Sequence, residues 1–172
     1  MFKRILLLVC LLVALSGVAQ AEIVSEVDTF DQTKYVYSYF KNPEFEKSKE
    51  LKIKNLVFRK IITTDRTEYI LTMDNSGKSK SSVYNNFLVK FDDSDSEIYK
   101  LTRRGNDIFG GYEEIVLIVP ENVVAKILTS DKITLKVPLN PKGKNNYEIS
   151  RNITVNINLE IINEWRQVIK SQ

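Results

Sequence analysis

The chain has 172 residues, a formal net charge of +3, no histidine and a single cysteine, Cys10. The absence of histidine excludes Ser-His-Asp and Cys-His catalysis and every metal site that depends on imidazole ligands. The small net charge argues against a nucleic-acid partner, which requires a concentrated basic surface.

The N-terminus has the three parts of a secretory signal peptide. Lys3 and Arg4 form a basic start, residues 5–18 form an apolar core, and Ala19 and Ala21 are the small residues that signal peptidase accepts. The apolar core is shorter than the roughly 20 residues that span a bilayer. The pattern predicts cleavage after Ala21 and no stable membrane span afterwards, with an uncleaved N-terminal anchor as the alternative.

Cleavage would divide the chain into a signal peptide, residues 1–21, and one mature domain, residues 22–172, which is long enough for a hydrophobic core. The mature domain lacks Cys10, so it has no thiol for a disulfide, a nucleophile or an iron–sulfur cluster. It also lacks Lys3 and Arg4, so its formal net charge falls by two, from +3 to +1. We therefore identify no catalytic residue and predict no cofactor. An enzyme of this composition would depend on carboxylates, tyrosine or a Ser–Lys pair.

Strand patterns dominate the first half of the mature domain. A polar segment, residues 22–33, precedes them and is expected to be loosely ordered. Apolar residues then alternate with polar ones in three regions that predict strands, 35–40, 51–62 and 68–73. The alternation changes parity near Asn55, which predicts either a β-bulge or a strand buried on both faces.

The second half combines strands with two helices. Strand patterns cover residues 83–91 and 97–103, and a loop is expected over 104–111. Five consecutive apolar residues, 115–119, predict a central strand that is covered on both faces. The remaining patterns predict a short helix, two alternating strands and an amphipathic terminal helix, at residues 120–128, 132–137, 147–157 and 159–170.

Successive strands joined by short polar loops, without strand–helix–strand crossovers, indicate antiparallel pairing. We therefore predict a mainly β fold. It is an antiparallel β-sandwich, or a partly open barrel, with one short helix and a C-terminal helix packed on it.

The C-terminal part, residues 115–170, has the order strand, short helix, strand, loop, strand, helix. This order, with the helix stripe of Ile161, Trp165 and Ile169, resembles small exported bacterial β-sandwich proteins of unknown function. The resemblance covers about a third of the chain and implies the fold. It implies no activity, because none is assigned to those families.

One acidic cluster has the residue types of a metal site. Asp93, Asp95 and Glu97 recur at a spacing of two and offer the hard oxygen ligands that calcium prefers. The cluster departs from an EF-hand loop, which needs glycine at its sixth position and glutamate at its twelfth. The simpler interpretation is a polar hairpin turn.

Two other groups of residues are candidates for binding. Tyr35, Tyr37 and Tyr39 fall on one face of a strand, where aromatic rings bind sugars or peptides or form part of the packing. Arg103 and Arg104 precede Gly110-Gly111, a combination that can shape an anion-binding loop but is more often solvated surface.

These observations favour an exported, soluble, non-enzymatic protein that binds a protein, glycan or small ligand in the periplasm or outside the cell. Two alternatives remain open. One is a carrier of a small apolar ligand, with the C-terminal helix closing its cavity. The other is a glycan-active enzyme, which would need two carboxyl groups about 5–9 Å apart in a cleft.

Overall fold

The computed structural model describes residues 22–41, 52–76, 81–83, 86–92, 97–109, 112–141 and 151–172. The predicted signal peptide, with Ala19 and Ala21, lies outside these residues. The described chain forms ten strands and two helices. In chain order they are β1 Glu22–Val27, β2 Lys34–Lys41, β3 Ile53–Ile62, β4 Thr67–Ser76, β5 Ser81–Ser82, β6 Phe87–Phe91, β7 Tyr99–Phe109, β8 Tyr112–Ile118, α1 Glu121–Thr129, β9 Ile133–Pro141, β10 Arg151–Ile157 and α2 Leu159–Lys170.

The strands form one antiparallel sheet that curls into a half-barrel. The strand order is β1-β2-β3-β4-β8-β7-β6-β9-β10, and the short β5 pairs with β9. Strands β1 and β10 are the two ends of this path, so the barrel is partly open. The mainly β fold predicted from the sequence is confirmed, in its partly open form.

Both helices pack on the inner, concave side of the sheet. The terminal helix α2 contributes its stripe of buried residues to the same core as the inward side chains of the strands. Trp165 stacks on Phe58 of β3, with ring centroids 5.2 Å apart, and Phe58 in turn stacks on Tyr69 of β4. The core therefore lies between the curled sheet and the two helices.

Polar contacts fix α2 at both ends. Asn158 caps its first turn, because its side-chain oxygen accepts a hydrogen bond from the Ile161 amide at 2.9 Å. At the other end, Lys60 Nζ of β3 donates to the main-chain oxygens of Ile169 and Ser171, at 3.0 and 2.6 Å. A cation at a helix C-terminus offsets the negative end of the helix dipole. Burial, and then the charge of Lys34, lowers the pKa of Lys60.

Arg166 connects the two helices. Its guanidinium donates to the carbonyl oxygens of Ile127 and Ser130, at 3.1 and 2.7 Å. It also donates to the side chains of Asp131 and Asn163, at 2.9 and 2.8 Å. The C-terminal end of α1 is thereby held against the middle of α2.

The structure confirms one local prediction from the sequence, adds one strand that was not predicted and corrects one loop. The register between β3 and β4 shifts between Ile53 and Asn55, which confirms the predicted bulge. Residues 22–27 pair with β2 as an edge strand, although their sequence pattern predicts no strand. Strand β7 continues to Phe109, so the loop predicted from residue 104 is wrong. The pairing of β7 with β8 continues through this segment, with a β-bulge between Arg103 and Gly105.

Candidate binding surface on the outer sheet face

Alternate side chains of every strand point away from the core, onto the outer, convex face of the sheet. The strand register shows which of these residues are neighbours across the sheet. On β1, β2, β3, β4 and β8 about half of them are apolar or aromatic, and the others include the acids Glu26, Glu68, Asp74 and Glu114. We call the largely apolar part of this surface the tyrosine face; it comprises Val24, Tyr35, Tyr37, Tyr39, Val57, Arg59, Ile61, Ile70, Thr72, Val116 and Ile118.

The tyrosine face is open to solvent. Tyr39 is 39% exposed and Ile118 is 41% exposed, and Val57 and Val116 are half-buried between them. The run of residues 115–119 predicts a strand covered on both faces, and this prediction is wrong for the outer side. Strand β8 is central in the sheet, but both helices lie on the inner side, so its outward residues add to an exposed apolar surface.

A row of four residues crosses the middle of the tyrosine face. Tyr37, Arg59, Ile70 and Ile118 are successive cross-strand partners on β2, β3, β4 and β8. The Arg59 guanidinium carbon lies 5.5 Å from the centroid of the Tyr37 ring. Ile70 is only 7% exposed and lies outside the main core cluster. The outer face therefore has a small packed layer of its own.

Hydrogen bonds hold the tyrosine rings in place. The Tyr37 hydroxyl donates to the Glu26 carboxylate at 2.9 Å, and the Tyr39 hydroxyl donates to the side-chain oxygen of Asn55 at 2.7 Å. The Asn55 amide in turn donates to Asp74 at 2.5 Å. Rings that are fixed before binding lose less conformational entropy when a partner arrives.

The other half of the outer face has a different chemistry. The outward side chains of β6, the first part of β7, β9 and β10 are mostly lysine, threonine and asparagine. We call this half the polar half; it comprises Leu88, Lys90, Lys100, Thr102, Thr134, Lys136, Asn152, Thr154 and Asn156. Its polar groups bond to one another, as in the 3.0 Å hydrogen bond from Thr134 to Asn156.

The predicted calcium cluster is only partly within the described chain. Asp93 and Asp95 lie outside it. Glu97 is exposed, and its carboxylate accepts a hydrogen bond from Tyr99 at 2.8 Å and pairs with Lys126 of α1 at 2.8 Å. The Lys126 ammonium, and then the Tyr99 hydroxyl, lowers the pKa of Glu97. The described residues contain no group of three or more acidic, cysteine or histidine side chains arranged for a metal, so calcium binding stays a prediction.

The two arginines of the predicted anion loop point to opposite faces of the sheet. Arg103 is buried and pairs with Glu113 at 3.4 Å. Arg104 is exposed on the outer face, 3.8 Å from Glu68. Each arginine pairs with an acid of the protein, and the two side chains do not point to a common site for an anion. Gly110-Gly111 lies outside the described residues.

Glu113 is a buried carboxylate that sequence patterns did not single out. Besides Arg103, it accepts hydrogen bonds from the Asn75 side chain at 2.9 Å and from the Val83 main-chain amide at 3.0 Å. These hydrogen bonds and the ion pair compensate for the loss of hydration of the buried carboxylate. The group joins β4, β7 and β8 at one end of the half-barrel. Its only signal in the sequence is a glutamate whose parity points to the core.

Apolar side chains pack closely around Trp165 on the concave side of the sheet. Trp165 is only 2% exposed and lies between Phe58 and the residues of α1. The apolar gap beside it has about 10 Å³ of room for a water-sized molecule. A ligand the size of a fatty acid does not fit into this gap unless Trp165 moves.

Comparisons with known proteins add the following findings. No family model matches the chain, and no curated protein matches it. Among solved structures, invasion associated protein B from Bartonella henselae aligns with a TM-score of 0.45 and 11% sequence identity. The alignment covers 87% of this chain and 95% of that one. Within the described residues, neither helix is long and apolar enough to cross a membrane.

Proposed function

We propose that the chain is an exported, non-enzymatic binding protein that uses the tyrosine face to bind a partner protein in the periplasm or outside the cell. The observation that carries the proposal is the exposure of two outward side chains on this face, Tyr39 on β2 and Ile118 on the central strand β8. Clustered apolar side chains at the surface typically mark interaction sites.

The shape and composition of the face favour a protein over a small molecule. Small ligands bind in concave pockets that surround most of their surface. The tyrosine face lies on the convex side of the sheet and offers a broad surface instead. Its centre combines Tyr37 with Arg59, the residue types that contribute most of the energy at protein–protein interfaces.

The N-terminal pattern supports the proposal of export. A basic start, an apolar core and the small residues Ala19 and Ala21 direct the chain to the secretory route. A mature domain without cysteine also avoids disulfide mispairing in an oxidising compartment. The binding reaction is therefore assigned to the periplasm or the exterior.

Site-specific photo-crosslinking in the producing cells tests this proposal. A photoreactive residue at Tyr39 samples the tyrosine face, and one at Thr154 samples the polar half. We expect a discrete adduct with one protein from position 39, which disappears when Ile118→Lys is added, and no such adduct from position 154. Identical adducts from both positions, or none from position 39, would contradict the proposal.

A further inference from the structure

Arg59 is unusual among the cations of the outer face. It is half-buried at the centre of the tyrosine face, and its Nε–H is completely buried without a hydrogen-bond partner. Among the described residues, its guanidinium contacts the ring of Tyr37, with the guanidinium carbon 5.5 Å from the ring centroid. A desolvated donor of this kind is normally satisfied by an acceptor.

The nearby acids do not neutralise Arg59, because each of them has other partners. Glu26 accepts the hydroxyl of Tyr37. Glu68 pairs with Arg66 at 3.0 Å and lies 3.8 Å from Arg104. Among the described residues, no carboxylate forms an ion pair with the Arg59 guanidinium.

The surroundings of Arg59 suit a carboxylate. A guanidinium presents its donors in a planar fork that matches the two oxygens of a carboxylate, and the cation–π contact with Tyr37 restricts how far the side chain moves. Val57, Ile61 and Ile70 surround it with apolar surface on β3 and β4. A partner that covers this surface would exclude water, which strengthens the charged hydrogen bonds.

We propose that Arg59 is the carboxylate-binding centre of the tyrosine face. The partner protein would present an aspartate or glutamate side chain flanked by apolar side chains. The carboxylate would bond to the terminal Nη groups of Arg59, because the protein itself covers the Nε–H. The flanking residues would pack on Val57, Ile70 and Ile118. This inference rests on the proposed function and adds the chemistry that the partner must carry.

NMR titration of the exported, ¹⁵N-labelled chain tests the inference. The probes are two short peptides, N-acetyl-Ile-Glu-Ile-amide and its matched glutamine analogue. We expect the Arg59 Nε–H signal to move saturably with the glutamate peptide. The glutamine peptide should bind about five- to tenfold more weakly, because hydrogen bonds to a charged acceptor are stronger than those to a neutral one.

Two variants complete the experiment. Arg59→Lys keeps the charge but loses the planar fork, so it should lose most of the discrimination between the peptides. Arg104→Lys alters a neighbouring outer-face arginine that already pairs with Glu68, so it should keep the discrimination. Thermal unfolding of both variants checks that they are folded.

The inference is overturned if neither peptide moves the Arg59 signal, if both peptides bind equally, or if Arg59→Lys discriminates as well as the unaltered chain. These failures are distinct from failure of the proposed function. If Arg59→Lys retains the full crosslinked adduct from position 39, the face binds a partner but Arg59 is not its carboxylate-binding centre. If position 39 gives no adduct at all, the proposed function itself fails.

Discussion

The two halves of the outer sheet face rest on the same core but differ in the side chains they present to solvent. The tyrosine face carries tyrosine, valine and isoleucine around Arg59, whereas the polar half carries lysine, threonine and asparagine. The inward residues of both halves, such as Leu71 and Leu135, are equally buried, so the two halves differ on the outer side of the sheet and not in the core. An apolar outer surface on one half only is expected if that half has a partner.

The largest expected effect concerns the core that both halves share. Trp165→Ala should lower the free energy of unfolding by about 3–5 kcal/mol, because it removes a large side chain that packs on Phe58. Urea denaturation measures this loss. The matched control is Leu159→Ala on the same helix, which is 49% exposed and should cost less than about 1 kcal/mol. Equal losses in the two variants would mean that α2 does not fill the half-barrel.

The next effect concerns the boundary between the halves, where β7 pairs with β8. Arg103→Met leaves the Glu113 carboxylate buried without its cation, so we expect a loss of about 3 kcal/mol in the free energy of unfolding. Adding Glu113→Gln should restore part of the loss, since the uncompensated charge is then gone. A double-mutant cycle from denaturation curves gives the coupling. Strict additivity of the two substitutions would show that the pair is not coupled.

A smaller effect separates the halves directly. Ile118→Lys on the tyrosine face and Leu88→Lys on the polar half make the same kind of change on outward strand positions. Neither should lower the free energy of unfolding by more than about 1 kcal/mol, because both side chains lie outside the core. Thermal unfolding of the two variants checks this. A large loss in the free energy of unfolding for Ile118→Lys alone would indicate that the apolar residues of the tyrosine face stabilise the fold. Their presence would then be no evidence for a partner.

The smallest effect is pH-dependent and concerns the contact between Glu97, just before β7, and Lys126 of α1. Lys126 and Tyr99 lower the pKa of Glu97 in the folded protein, so the stabilisation is present above the unfolded pKa and is lost as the pH falls through the lower folded value. The difference in melting temperature between the unaltered chain and Glu97→Gln should therefore shrink as the pH falls below 4.5. A difference that stays constant down to pH 2 would contradict this contact.

The sequence predicts most of the fold because apolar and polar residues alternate with a clear strand or helix period in several elements. Residues 133–137 alternate strictly between apolar and polar and form part of β9, and the apolar stripe of residues 159–170 defines α2 with the observed bounds. Strand β1 escapes prediction because Ser25 faces inward between Ile23 and Val27, which weakens the alternation. Its position depends on pairing with β2, a non-local contact that no local pattern records.

The candidate site is less predictable than the fold. The shared face of Tyr35, Tyr37 and Tyr39 follows from the strand period, and the sequence indicates it correctly. The exposure of Ile118 does not follow, because an apolar run has the same pattern whether or not another layer covers it. Arg59 gives no signal at all in the sequence. Its significance depends on which acids its neighbours engage, and only the three-dimensional arrangement shows this.

The proposed function requires that binding takes place on the tyrosine face and not on the polar half. The most direct test measures the affinity of Ile118→Lys and Leu88→Lys for the protein captured from position 39, with both proteins purified. We expect Ile118→Lys to weaken binding at least about tenfold, because it places a charge on the apolar surface that the partner covers. We expect Leu88→Lys to change the affinity less than about twofold. Equal affinities for the two variants, or a larger loss for Leu88→Lys, would contradict binding on the tyrosine face.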